Sequence, residues 1–258
     1  MPNQHMTGSD TVRVERRGKV QIITLSREEK RNAINSSITA GIDAALNELD
    51  DDPELWCGIL TGGTNVFSAG ADLSSGPGDP TPRGGIAGMI RRVRTKPLIA
   101  AVEGLALGGG FELVLCCDLV VAANTAEFGL PEPKRGLMPD FGGAFRVARV
   151  LPANIARELL LTARNLSADR AASLGMVNAV TEPGAALDTA LELAELICEN
   201  APLAVREALG IVNREIAGDE DDTWARSDAA HARLLASRDV IEGVGAFFER
   251  RPPKWNGV

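Results

Sequence analysis

Twice in this chain a short apolar run leads into a cluster of glycines. Gly58-Ile59-Leu60-Thr61 meets Gly62-Gly63, and Leu98-Ile99-Ala100-Ala101-Val102 leads to Gly108-Gly109-Gly110. Runs this short fit strands buried on both faces, and glycines let the chain turn back tightly. Helical patterns follow each, over Ile86 to Arg94 and over Phe111 to Cys117. A repeated strand, glycine loop and helix argues for an α/β fold built of crossover units. Leu119 to Ala123 supplies another strand. Upstream, Val12 to Ser26 alternates around Arg16-Arg17-Gly18-Lys19, which predicts a hairpin turning at Gly18. Ser36 or Ser37 is placed to cap a helix with apolar positions Ile38, Ile42, Ala45, Leu46 and Leu49, stopped by Asp50-Asp51-Asp52-Pro53. Ser74 to Gly85, with four Gly and three Pro, reads as the most mobile loop. From Pro152 the pattern turns helical, over Ile155–Ala163, Ser167–Leu174, Ala185–Asn200 and Leu203–Ile216.

What is missing narrows the chemistry. Tyr is absent from the 258 residues, so no mechanism can use a tyrosine acid or base. The two histidines are His5, in the polar N-terminal stretch, and His231. A multi-histidine zinc cluster is therefore excluded. Only His231 could serve a Ser-His-Asp triad, and no Gly-x-Ser-x-Gly elbow accompanies it. Neither a P-loop nor a Gly-x-Gly-x-x-Gly dinucleotide motif occurs. The net charge of −8 argues against nucleic acid. The one basic run, Arg91, Arg92, Arg94 and Lys96, reads as a solvated helix face or as a place for a phosphorylated ligand. No apolar run is long enough to span a membrane, and Met1 to Asp10 lacks the apolar core of a secretory signal. Cys57, Cys116, Cys117 and Cys198 form no Cys-x-x-Cys pair, which fits a reducing cytoplasm. Cys116 and Cys117 read as small core hydrophobes.

Four features carry the chemistry. Gly108-Gly109-Gly110 opens a helix, where backbone N–H groups lack intrahelical acceptors and the dipole adds partial positive charge. Such a turn suits a developing oxyanion, or else serves only as a tight turn against the sheet. Glu112 follows the last glycine and precedes Leu113-Val114-Leu115-Cys116-Cys117. Burial beside that apolar run would raise its pKa and fit it for acid–base work; the plainer alternative is a first-turn partner of the dipole. Glu132 sits between Pro131 and Pro133, which fix its backbone, although an exposed loop glutamate has the same sequence. Asp140, ahead of Phe141-Gly142-Gly143, is a helix N-cap candidate.

These features fall in stretches that resemble the crotonase (enoyl-CoA hydratase/isomerase) superfamily. The stretches are Arg31-Asn32-Ala33-Ile34-Asn35, Phe67 to Leu73, Ala100 to Leu113, Phe128 to Glu132, and Glu242 to Arg251. The resemblance runs from Val12 to the C-terminus, and the motifs are specific in combination and order. It implies an α/β spiral of ββα units over residues 11–195, preceded by a disordered tail over 1–10. A helical oligomerisation region over 196–258 would make trimers, usually paired into hexamers. The implied partner is an acyl-CoA thioester whose CoA belongs to the substrate, with no metal and no further cofactor, no nucleic acid and no membrane.

By the same resemblance, the amides of Ala71 and Gly109 form the oxyanion hole. Glu112 and Glu132 are the two catalytic glutamates. CoA runs along Arg31, Ala33, Ser68, Ala69 and Asp72, and Phe247 and Arg250 match tail positions that contact CoA. Asp140 departs from the glycine of common fatty-acid hydratases, and the pattern Leu130-Pro131-Glu132, Gly136, Pro139-Asp140, Gly142-Gly143 is similar to the carnitinyl-CoA dehydratase branch. The implied reaction is reversible hydration of a trans-2-enoyl-CoA. Glu112 would deprotonate water and Glu132 would protonate the α-carbon, with the two sharing the water. The alternatives are double-bond isomerisation of an enoyl- or dienoyl-CoA, and a non-catalytic acyl-CoA-binding protein. Family members that rely on a tyrosine or on an early histidine are disfavoured by this composition.

Overall fold

The hairpin forms where the alternation places it. In the computed structural model, which describes residues 6–255, β2 (Val12–Arg17) and β3 (Val20–Leu25) pair antiparallel across Gly18, whose φ is +58°. The tail expected over 1–10 is partly strand, because β1 (Met6–Ser9) pairs antiparallel with β2. Residues 1–5, with His5, and residues 256–258 lie outside the described part. Then follow α1 (Ser36–Asp51), β4 (Cys57–Thr61), β5 (Leu98–Val102), β6 (Leu105–Leu107), α2 (Gly109–Val114), β7 (Leu119–Ala123) and β8 (Glu127–Gly129). The helical half comprises α3 (Gly143–Val150), α4 (Ala153–Thr162), α5 (Ala168–Ser173), α6 (Ala186–Cys198), α7 (Pro202–Ala217), α8 (Glu220–Leu235) and α9 (Arg238–Glu249), with short strands β9 (Leu166–Ser167) and β10 (Ala179–Thr181).

The main sheet runs β1-β2-β3-β4-β5-β7-β10 and is parallel from β3 onward. Its central strands are buried on both faces, which explains their unbroken apolar runs. Leu60, Ala100, Val102 and Ala122 point into the core that α1 seals with Ile38, Ile42, Leu46 and Leu49. Ile59, Ile99, Ala101 and Val121 point the other way, against Ala186, Ala190 and Ala194 of α6.

After each of β4, β5 and β7 the chain turns into a second layer. There Ser68 bridges Ala106, and Ala106 pairs with Phe128, all in parallel. The chain therefore makes three turns of a spiral, the crotonase architecture expected from the sequence. Because the register is shared, the residues three beyond those partners (Ala71, Gly109 and Pro131) come to the same end of the second layer. Glu132 is next along.

Three local expectations fail. Ile86 to Arg94 is not a helix. Only Ile86–Gly88 makes a 3₁₀ turn, because Ala87 (φ 52°) and Gly88 (φ 73°) adopt left-handed backbone. Gly88 also packs against α1, where a Cβ would lie 2.7 Å from Asp43 N. The basic run is accordingly not a solvated face. Arg92 is buried and pairs with Asp43 (2.6 Å) and Asp50 (2.9 Å). Arg94 pairs with Asp118 (2.7 Å), and the Lys96 ammonium donates to the Leu49 and Asp52 carbonyls. The cap of α1 is Asn35, whose side chain accepts from the Ile38 N–H at 3.1 Å, rather than Ser36 or Ser37. The glycine- and proline-rich loop is tied to α1: Thr39 donates to Pro77 O, and Thr81 to Asp43.

Candidate active site

The first element of the site is a pair of amides. Ile34 bridges Ala71 by accepting from the Asp72 N–H (2.9 Å) and donating to the Gly70 carbonyl (2.8 Å). In a parallel bridge this turns the Ala71 N–H to the opposite side. Gly109 is the first residue of α2, so its N–H has no intrahelical acceptor. Among the described residues neither N–H has a protein acceptor. The two approach closely: a Cβ on Gly109 would stand 3.3 Å from Ala71 N, and one on Gly70 would stand 3.2 Å from Gly109 N. Gly108 makes the approach possible with φ 53° and ψ −129°, a conformation essentially confined to glycine. Two convergent donors at a helix start can hold an oxygen that gains negative charge.

The second element is a cluster of three carboxylates. Glu112, in the first turn of α2, is 1% exposed, and its Oε1 accepts from the Gly143 N–H at 2.7 Å. Burial pushes its pKa well above the usual carboxylate range, and the charges of Glu132 and Asp140 push it further. Glu132 opens a 3₁₀ turn (Glu132–Arg135) behind Pro131, and its Oε2 is buried with no hydrogen-bond partner among the described residues. Burial, reinforced by Asp140, raises it to about 7. A Cβ on Gly108 would lie 3.1 Å from Glu132 Oε1, so this carboxyl stands beside the amide turn. Asp140 is not the cap of α3; Gly142 holds that position and no side chain caps it. Asp140 instead joins the cluster, where burial raises its pKa and His231 opposes the rise. Two buried carboxyls, the charge of one raising the pKa of the other and one with an unsatisfied oxygen, can take a proton from water and deliver one to carbon.

The stretches expected along CoA lie side by side. The Ala69 N–H donates to the Arg31 carbonyl at 2.9 Å. Ala33 and Ala69 are half-buried. Ser68 is fully buried, and its hydroxyl donates to Asn32 O and accepts from the Gly70 N–H, so it shapes the loop from inside. The Asp72 carboxylate pairs with Arg27 at 2.8 Å, and with Ser74 this holds it well below the usual range. Arg31 is exposed with left-handed backbone. Phe247 belongs to α9 and Arg250 caps its C-terminus, and α9 packs on the Glu132–Arg135 turn rather than on these stretches. The Phe247 ring packs on the Arg135 guanidinium, 4.6 Å from the ring centre, and Arg250 ends the helix exposed.

Sequence reasoning missed three participants. The Asn32 amide, fully buried, donates to the carbonyls of Gly62, Val66 and Phe67 and so ties down the loop leading to Ala71. Phe141 packs on Gly109. His231 faces Asp140. The first lay within a quoted motif without any sign of its role; the other two have no local signal.

Fold and site together define an α/β spiral enzyme that can stabilise an oxyanion and shuttle protons between buried carboxyls. Residues 15–258 match the family model of enoyl-CoA hydratase/isomerase. The chain is 38% identical over 250 residues to the short-chain-enoyl-CoA hydratase of Clostridium acetobutylicum, covering 94% of this chain and 96% of that one. It is 40% identical over 260 residues to the carnitinyl-CoA dehydratase of Citrobacter koseri, covering 96% and 99%. The crystal structure of a carnitinyl-CoA hydratase from Mycobacterium avium superimposes with a TM-score of 0.92 at 41% identity, covering 97% of this chain and all of that one. The chain belongs to the enoyl-CoA hydratase/isomerase family.

Proposed function

We propose that the protein reversibly adds water to a trans-2-enoyl-CoA thioester. The observation that carries this is the pairing of the Ala71 and Gly109 amides, which have no protein acceptor among the described residues, with the buried Glu112 and Glu132 carboxyls. The thioester oxygen sits between the two N–H groups. As water attacks the β-carbon, charge moves to that oxygen and the two hydrogen bonds strengthen, which lowers the barrier. One such donor is worth about 2.7–4 kcal/mol. Glu112, whose hydrogen bond from the Gly143 N–H works against burial to favour the carboxylate, takes the water's proton, and Glu132, which holds a proton near neutral pH, delivers that proton to the α-carbon. This chemistry calls on no metal and no group beyond the CoA of the substrate. Arg31, Ala33, Ala69 and Asp72 line the CoA path over the buried Ser68, and Phe247 and Arg250 would reach CoA, from a neighbouring subunit where the trimer brings it within range.

The charge of Asp140 beside the pair, and the named relatives, favour an acyl group with a cationic end. The working unit we propose is a homotrimer or a pair of trimers. It is supported by α7, which has no buried residue and exposes Leu203, Ile211, Val212 and Ile216. The four free cysteines suit the cytoplasm. No helix among the described residues is long and apolar enough to cross a membrane.

The test is loss of the conjugated enoyl-thioester absorbance with crotonyl-, longer 2-enoyl- and crotonobetainyl-CoA, run in H₂¹⁸O. Label in a 3-hydroxyacyl-CoA product is expected. Turnover that moves a double bond without label would assign an isomerase instead. Glu112→Gln and Glu132→Gln should each cost about 10²–10⁴-fold in kcat.

A further inference from the structure

The α8 helix lies against the segment that carries Asp140. Trp224 closes on Gly142, where a Cβ would stand 3.0 Å from Cη2, and meets Phe145 edge-on at 5.0 Å. Ser227, Asp228 and His231 follow at helical spacing on the same face. The His231 Nδ1 is buried, has no hydrogen-bond partner among the described residues, and stands 3.6 Å from Asp140 Oδ2. A buried ring nitrogen without a hydrogen bond is costly. Its facing partner is a carboxylate of the catalytic cluster, so that cost is placed where it can serve the site.

We infer that His231 is a positioning residue of the hydration site: its imidazole anchors the Asp140 carboxylate and, through it, governs how the Glu112–Glu132 pair holds its proton. The inference rests on the hydratase reading above.

The groups around Asp140 fix the direction of the effect. Glu112 comes from α2, Glu132 and Arg135 from the 3₁₀ turn, and Asp228 and His231 from α8. Asp228 is drawn outward by Arg91 at 2.9 Å, and Arg91 stacks on Trp224 at 3.9 Å. Arg146 of α3 also lies over Trp224, at 5.3 Å. Burial favours a neutral Asp140, Asp228 adds to that, and His231 opposes both. A charged Asp140 in turn favours the protonated form of Glu132. Without the imidazole, Asp140 is neutral more of the time, and Glu132 gives up its proton at lower pH.

Two measurements on the full-length protein test this. The chain has only two histidines, so His5→Gln leaves a single ring signal, and ¹³C-labelled histidine NMR follows His231 directly. Asp140→Asn should move the His231 ring resonances at fixed pH, because the carboxylate 3.6 Å from Nδ1 is lost; unmoved resonances overturn the inference without any reference to turnover. In kinetics, His231→Gln should move the basic limb of the kcat/KM profile down by about half a pH unit. Asp140→Asn should move it likewise, the double variant should add nothing, and His231→Lys should restore the limb. A uniform loss of rate with unmoved limbs would mark His231 as a packing residue and overturn the inference, as would additive shifts in the double variant. Wild-type protein inert toward every 2-enoyl-CoA would overturn the hydratase reading itself, a failure distinct from an active enzyme whose limbs do not move.

Discussion

Gly143→Ala adds one methyl group at the point where Glu112 is held. An ideal Cβ there would stand 2.7 Å from Glu112 Oε1, 2.8 Å from its Cγ and 3.0 Å from its Cδ. Ordinary contact between such atoms is about 3.5–4.0 Å, so the carboxyl must retreat by about 1 Å. Glu112 is 1% exposed and cannot swing into water. Overpacking of this size costs about 1–3 kcal/mol, or a Tm lower by about 2–12 °C for a chain of this length. A catalytic group displaced by about 1 Å loses about 10²-fold in rate. No residue of the proposed CoA path lies at Gly143, so kcat should fall about 100-fold while KM holds. Enoyl-thioester absorbance gives the rate, and a thermal melt at the same pH shows that the protein remains folded. A variant with wild-type kcat and wild-type Tm would refute the placement of Glu112 as the group that handles water.

Other consequences follow from the same contacts. Glu132 titrates in the folded state near 7, above its usual value, so its contribution to stability is present below about pH 4.5 and is lost as pH rises through 7. Glu132→Gln should therefore raise stability at pH 8 by roughly 3 kcal/mol and leave it unchanged at pH 4; urea midpoints at the two pH values check this. Arg92→Ala removes the buried cation between Asp43, which keeps Thr81 and Asn47, and Asp50, which keeps Arg83, and should cost about 3 kcal/mol, whereas Arg91→Ala, whose salt bridge is exposed, should cost about 1 kcal/mol; denaturant melts at pH 7 rank the two. Asn32→Ala leaves the Gly62, Val66 and Phe67 carbonyls without their donor, and the loss should be about 2–3 kcal/mol together with weaker thioester turnover.

The sequence marked most strands because burial on both faces leaves unbroken apolar runs, as in Leu98–Val102. It marked Glu112 as buried for the same reason, since Leu113 and Val114 follow it into the core. It could not reveal that Ser68, Ala106 and Phe128 share one register, because each belongs to a different turn of the spiral and local periodicity carries no pairing information. Ile86, Met89 and Ile90 have helical spacing, yet the left-handed Ala87 and Gly88 bury Met89 and Ile90 and half-bury Ile86 without a helix, and Arg92 binds α1 instead of facing water. Asn35 and Ser36 both suit a cap, and one residue decides between them. Asp140 likewise has the composition of a cap, and only the approach of Glu112 and Glu132 from other turns of the spiral, with His231 of α8 facing it, makes it part of an acid cluster. The Ser74–Gly85 loop has the composition of a mobile segment, but its contacts to α1 are long-range.

The two last helices both grip the catalytic segment: α8 at Asp140–Gly142, and α9 at the Glu132–Arg135 turn, where Phe247 covers Arg135 and Gly243 packs on its backbone. During synthesis the amides and carboxyls emerge before α8 and α9, the wall that packs against them. Ordering of the carboxyl segment therefore waits on these two helices. Removing α8 and α9 would strip the carboxyls of that wall while leaving every described strand in place, so the chemistry is separable from the sheet that carries it.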